Sequence, residues 1–342
     1  MRSIHRWARL LAIPLLLISL LSDFLSPSAS DLQDLNQFYA PPTLIRFVDY
    51  QGRFHWRPFV YRLELVDALD ASYQERHDQV FPLEFFCEGY RYQFLGCIPS
   101  SRHLLGTRTA GVFHPWGTDA LGRDVLARTM AGARNSMMVL LLGIAIYFLL
   151  GVTIGASAGI AGGWTDIFLM RFSEFVLALP ALYLVLAVRA LLPPNMPFWQ
   201  TVFLTAATLA FVAWPPMARG VRGQILQTKN ACFVEAARIL GASPWYIFRM
   251  HMLPALAPYA LAQTAVAAPL FILGEVTLSF LNVGFHDSGA SWGTMLHSLT
   301  QDPRIFTDFW WNLSPLAFVF AALFCLNGFS RQMSTKSPSQ LA

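Results

Sequence analysis

The side chains able to ligate a metal or bond to one another gather in residues 43–113, where His55, His77 and His103 accompany Cys87 and Cys97. The histidines are irregularly spaced and lack a paired carboxylate motif, so they read as surface residues rather than metal ligands. In an oxidising compartment the two cysteines can join, and a Cys87–Cys97 disulfide stands open. None of the chain's 4 cysteines forms a CxxC pair. No nucleophile and base stand out together in this stretch, which weighs against the rival reading of a membrane-anchored enzyme with its site there. A Gly-x-x-x-x-Gly-Lys-Ser/Thr phosphate loop is absent from the sequence, so nucleotide is expected to bind elsewhere. No catalytic residue, resident metal or cofactor is expected.

Two acids stand inside apolar runs. A carboxylate at membrane depth is costly and faces a partner or a wet cavity. Glu275, in "ILGEVTLSF", reads either as a hydrogen-bonding group at a subunit interface or as part of a pathway lining. Glu174 lies nearer the end of its run, where a snorkelling or interface role suffices.

The elements that hold these groups are membrane spans. The chain has 342 residues, of which 55% are hydrophobic and 13% charged, about half the charge of a soluble domain. Its formal charge of +4 is small and comes with neither a basic tail nor an Arg/aromatic stripe, so no nucleic acid partner is implied. The expected fold class is an all-α integral membrane protein in a lipid bilayer. Six apolar runs approach the roughly 20 residues that a span needs, at 7–25, 135–160, 173–192, 198–217, 255–281 and 310–329. The first also reads as a cleavable signal peptide ending in "SPSAS". Pro180 is expected to kink the third. Gly151, Gly155 and Gly159 form a small-residue stripe on the second, for packing within the chain or at an interface with a partner subunit.

Cations in short loops set the orientation. Arg219, Arg222, Lys229, Arg238 and Arg249 between spans four and five, with Arg331 and Lys336 in the tail, put that loop and both termini in the cytoplasm. Arg123, Arg128 and Arg134 then fall outside, at the end of a long translocated segment of the kind that escapes the charge rule. The resulting organisation is a tail and first span at 1–26, an extracytoplasmic segment at 27–113 and an interfacial segment at 114–134. A core with five spans follows at 135–330, then a cytoplasmic tail at 331–342. Within the extracytoplasmic segment, "RFVDYQGRFHWRPFVYRLELVD" alternates polar and apolar residues around Gln51–Gly52, predicting short strands and a small β-rich insert.

One cytoplasmic stretch stands apart, "FVEAARILGASPWYIFRMHMLP". Residues 224–240 are helix-compatible, with strong helix formers in "EAARIL". Gly241 is a left-handed stop, and Ser243 with Pro244 reads as an N-cap and first helical position. The second helix is expected to end at Leu253, with Pro254 opening the fifth span. Ala236 and Ala237 leave a shallow face that another backbone can approach. On residues alone, a structured loop resting on lipid headgroups is the competing reading.

This stretch resembles the cytoplasmic EAA loop of ABC importer permeases, carried by Glu235, Ala236, Ala237, Gly241, Leu253 and Pro254. His251 matches the peptide-transporting branch, although Met250 stands where that branch usually has Arg. "HPWGTDALGRDVLARTMAGAR" resembles the Gly-Thr-Asp, Gly-Arg-Asp block of the dipeptide, oligopeptide and nickel permeases, through Gly117, Thr118, Asp119, Gly122, Arg123, Asp124 and Arg128. Its residues suit a turn capping a short amphipathic helix with charges paired at helical spacing, interfacial and without a direct substrate role. "LSFLNVGFHDSGASWGTML", with Trp292–Gly293, resembles the segment after the fifth span in the same group. The insert and the tail "NGFSRQMSTKSPSQLA" depart from it.

The resemblance implies a six-span permease of the ABC importer type, the C-type subunit, in a bacterial or archaeal plasma (inner) membrane. Its implied partners are a homologous permease subunit, two ABC ATPase subunits and an extracytoplasmic solute-binding protein. Residues 233–254 are then the element through which ATPase closure drives alternating access. Peptides are the implied cargo, with nickel, oligosaccharides or opines as alternatives.

Overall fold

Helix takes up the apolar runs because in lipid a helix satisfies its backbone polar groups from within. The computed structural model describes residues 13–94, 98–109, 111–190, 193, 196–285 and 289–336. Its helices are α1 (described over 13–20), α2 (Ser22–Leu25), α3 (Val125–Ala161), α4 (Gly163–Ala178), α5 (Ala181–Ala190) and α6 (Phe198–Lys229). There follow α7 (Cys232–Ile239), α8 (Pro244–Ile247), α9 (Leu253–Phe280), α10 (Trp292–Ser298) and α11 (Ser314–Lys336). Among the described residues four helical stretches are long and apolar enough to cross a membrane: Val125–Ala161, Phe198–Lys229, Pro244–Phe280 and Trp310–Arg331. Gly163–Ala178 and Leu182–Val188, bent by 95°, make a fifth if counted as one broken span. The first expected span lies partly outside the described residues.

Several boundaries differ from the sequence expectation. α3 begins at Val125 rather than 135 and so carries Arg128 and Arg134 in its first turns. Pro180 lies at the break between α4 and α5, where the chain bends by 95°, having no N–H to continue the ladder. α6 runs on to Lys229 through Pro215 and Pro216. Long basic side chains keep their heads in water while their stems stay on the helix, so a helix outlasts its apolar run.

The described residues between 46 and 106 include five strands. β1 (Arg46–Val48), β2 (Phe54–Asp67) and β3 (Ser72–Pro82) make one antiparallel sheet, while β4 (Glu84–Phe94) and β5 (Ile98–Gly106) make a second. The strands after β1 are longer than the short ones expected. The turn between β1 and β2 forms around Gln51–Gly52, with Asp49 accepting from the amides of Gln51 and Arg53 at 2.9 and 2.8 Å.

The described residues fall into two compact units, one of residues 138–275 and 323–336, the other of 13–137 and 276–322. In the first, α6 is the central helix. Gly151, Gly155 and Gly159 of α3 lie against Met217, Ala218, Val221 and Ile225 of α6, Gly220 of α6 lies against Tyr259 of α9, and Gly143 of α3 against Phe271 of α9. Val176 of α4 joins Trp214 and Ala218 of α6 in a buried cluster. In the second unit, Tyr39 stacks on Phe309 at 4.2 Å, and the Trp292 indole donates to the carbonyl of Thr129 at 3.0 Å. The β3 residue Tyr73 donates to the carbonyl of Phe38 at 2.6 Å, and burial pushes its hydroxyl pKa up to about 12.

Candidate functional site

The segment after α6 folds into a compact bent pair of short helices. α7 starts at Ala231 without a side-chain cap, and Glu235 lies in its first turn, where a negative charge opposes the positive end of the helix dipole. Val234 is fully buried and anchors the helix, while Glu235 and Ala236 are exposed and Ala237 is half-buried. Gly241 then takes φ +82°. Its amide donates to Arg238 at 2.9 Å and that of Ala242 to Ala237 at 3.0 Å, the paired bonds of a Schellman stop. No atom lies within 4 Å of a Cβ built there, so backbone conformation alone calls for glycine. Ser243 caps the next helix, accepting from the amide of Tyr246 at 3.2 Å, with Pro244 at its first position.

The expected stop at Leu253–Pro254 is not formed. Phe248–Met252 makes a π-helical turn, in which the amide of Leu253 donates to the carbonyl of Phe248, and the chain continues directly into α9. Pro254 lacks an N–H and its ring would press on a carbonyl in the preceding turn; the wider turn relieves both. His251 lies beside the rings of Phe233 and Tyr246, at 5.7 and 6.1 Å.

Ile247 and Met252 turn inward with Val234. By contrast Ile239, Leu240 and Trp245 are 82%, 87% and 68% exposed. A bend held by its own hydrogen bonds that presents an apolar knob has the character of a contact surface.

The bend is fastened close to its base. Arg222 Nε and Nη2 donate to the two carboxylate oxygens of Asp166 at 2.5 and 2.6 Å. The Lys229 ammonium donates to the carbonyl of Ile160 at 2.9 Å. Sequence reasoning missed Asp166, because its partner lies 56 positions away; an acid in the first turn of an apolar helix was the available signal.

The glycine stripe packs inside the chain, the first of the two readings given for Gly151, Gly155 and Gly159. A Cβ on Gly155 would stand 2.3 Å from the carbonyl oxygen of Ala218, so that face is already taken. Glu275 is fully buried on α9.

Residues 114–124 form the turn, a loop closed on itself by a bridge between Thr118 and Asp124, and the helix that follows within 114–134 is the start of α3. Gly117 and Gly122 both have positive φ, and the carbonyl oxygens of Ala40 and Asp34 lie where their Cβ atoms would stand. The Thr118 hydroxyl accepts from the amide of Ala40 at 2.7 Å and donates to the carbonyl of Gln37. Asp119 accepts from the Arg123 amide and guanidinium at 3.0 and 2.7 Å, with Arg128 Nε at 3.6 Å. Asp124 accepts from the amide of Ala127, capping α3, and pairs with His114 Nδ1 at 2.9 Å. Every one of these charged groups is buried, so the block is a structural knot.

The disulfide expectation involves Cys97, which lies outside the described residues. Cys87 is a free, buried thiol that pairs across the strands with His103. His103 is buried rather than superficial, its two ring nitrogens 2.8 and 3.0 Å from the carbonyls of Asp23 and Tyr90. Among the described residues no cluster of His, Cys, Asp or Glu is placed to hold a metal ion.

Comparison with known proteins agrees with the motifs. Residues 151–332 match the family described as "binding-protein-dependent transport system inner membrane component". The chain is 37% identical over 215 residues to the dipeptide transport system permease protein DppC of Bacillus subtilis, covering 63% of this chain and 65% of that one. It is 35% identical over 215 residues to the oligopeptide transport system permease protein OppC of Haemophilus influenzae, covering 63% and 67%. With OppC of Bacillus subtilis it shares 34% over 218 residues, covering 63% and 68%. The match thus spans about two thirds of these relatives' lengths. With more than half its residues inside the family match and several helices able to cross a membrane, the chain belongs to the binding-protein-dependent transport system inner membrane components, a family of transport permeases rather than enzymes.

Proposed function

We propose that the chain is a C-type permease subunit of an ATP-driven peptide importer, forming the translocation pathway with a homologous permease. Two ATPase subunits bind it from the cytoplasm and a solute-binding protein from outside. Residues 233–254 are the coupling element, with Glu235, Ala236, Ala237, Gly241, His251, Leu253 and Pro254 shaping or presenting it. The observation that carries the reading is the hydrogen-bonded bend with Ile239, Leu240 and Trp245 exposed, in a segment whose Glu-Ala-Ala and Gly positions match the motif. The relatives quoted above are dipeptide and oligopeptide transport permeases by name. In this reading the chain crosses the membrane six times, first at 7–25, with both termini cytoplasmic and the 43–113 insert outside. The basic residues from Arg219 to Arg249 support that orientation.

The test is to purify the chain with its ATPase subunits and assay Glu235→Ala and Gly241→Pro. Loss of the ATPase subunits, or loss of peptide uptake with the complex intact, is the expected result. Unchanged assembly and uptake in both variants would remove the coupling role.

A further inference from the structure

The base of the coupling bend carries fastenings that docking alone does not require. Arg222 presents its planar fork to both oxygens of Asp166, a geometry that fixes direction as well as distance. Asp166 sits in the first turn of α4, where the helix dipole also favours its charge. Lys229, in the last turn of α6, donates to the carbonyls of Ile160 and Gly159 at 2.9 and 3.5 Å; these belong to the end of α3, where carbonyls lack helical partners. Above these contacts, α3 and α6 lie together along the glycine stripe. The lower half of α6 is therefore tied to two neighbours at its tip.

α6 also contains its own weak point. Pro215 and Pro216 lie inside it, and each removes a ladder hydrogen bond and crowds the preceding turn. A push arriving at α7 has two outcomes. It bends α6 at the prolines and dissipates, or it carries the ends of α3, α4 and α6 together. The ties at Asp166 and Lys229 favour the second.

We infer that Asp166 is a positioning residue for transport: by gripping Arg222 it makes the cytoplasmic ends of α3, α4 and α6 one lever, so that force on residues 233–254 reaches the pathway instead of bending α6 at Pro215–Pro216. This rests on the coupling function proposed above. The pair borders an open cleft of about 320 Å³ with Ile167, Met170, Arg171, Glu174 and Arg219. Arg171 is engaged with Glu174 at 2.8 Å, and Arg219 is the other cation lining the cleft. Ion pairs near water contribute little to folding, so removing this one leaves the subunit assembled.

The experiment uses the full complex in proteoliposomes with its binding protein and radiolabelled dialanine, measuring uptake and ATP hydrolysis together. Asp166→Asn is expected to keep hydrolysis near wild type while uptake per ATP falls by roughly tenfold, within the usual range of coupling between sites. Asp166→Glu, which retains the carboxylate, is expected to restore the ratio. Arg222→Lys keeps the charge but not the fork and is expected to give an intermediate ratio. An Asp166→Asn complex in which uptake and hydrolysis fall in proportion, or in which neither changes, overturns the inference, as does an unchanged ratio in Arg222→Lys. A wild-type complex without solute-dependent hydrolysis would instead overturn the coupling function itself, and this inference with it.

Discussion

Gly155 of α3 meets Ala218 of α6 backbone to backbone, with no room for a side chain between them. The spacing Gly151, Gly155, Gly159 repeats that contact along the helix, opposite Met217, Val221 and Ile225. Small residues allow such approach where dispersion, rather than water release, holds helices together.

Substituting Gly155 by Leu is expected to lower the thermal stability of the detergent-solubilised protein by about 1–3 kcal/mol or more, the usual cost of overpacking. Gly223, also in α6, has no atom within 4 Å of a built Cβ. Gly223→Ala is therefore expected to be neutral or stabilising by up to about 1 kcal/mol, through helix propensity alone. Equal losses at both sites in thermal unfolding would contradict the packing described.

The Asp119 carboxylate lies between the Arg123 and Arg128 guanidiniums, and all three are buried. Breaking a buried pair from one side costs roughly 3–5 kcal/mol. Asp119→Ala is accordingly expected to abolish stable accumulation of the protein or to lower its melting temperature steeply. An Asp119→Ala variant with wild-type yield and melting would show that the block is not a structural knot.

Burial raises the Cys87 thiol pKa above its ordinary value, whereas Cys232 is exposed. Maleimide is therefore expected to modify Cys232 in the native protein and to reach Cys87 only after unfolding. Reductant should leave the behaviour of Cys87 unchanged. A mass increase at Cys87 that appears only after reduction would restore the disulfide.

Asp49 has its carboxyl pKa lowered, chiefly by the hydrogen bond from His55 and then by that from the Arg53 amide. A lowered folded pKa means that the stabilisation is present above the ordinary aspartate value, about 3.9, and is lost as pH falls through the folded value. The β1–β2 turn is thus expected to hold through neutral and mildly acidic pH and to open below about pH 4. Amide exchange at Gln51 and Arg53 reads this directly. Protection that persists unchanged at still lower pH would contradict it.

What the sequence revealed followed how local the cause was. Gly241, Ser243 and Pro244 act within a few residues of themselves, so the bend was legible. The glycine stripe was legible as a stripe, but its occupant was not, because α6 is remote in sequence. Pro254 looked like a stop since the relief offered by a π turn leaves no residue signature. The fourth apolar run ends at 217, because an apolar-run reading cannot see that Arg222 and Lys229 continue α6 while finding partners on α4 and α3. The Gly-Thr-Asp block was recognised by its residues, yet its closure depends on the carbonyls of Gln37, Ala40 and Asp34, which carry no identity.

The central claim is that residues 233–254 face the cytoplasm and take force there. Cys232, exposed at the start of α7, provides the direct probe in a Cys97→Ser background, since Cys87 and Cys325 are buried. A membrane-impermeant maleimide applied to sealed vesicles should label Cys232 only from the cytoplasmic face, and added ATPase subunits should slow that labelling. Labelling from the extracytoplasmic face would contradict the account.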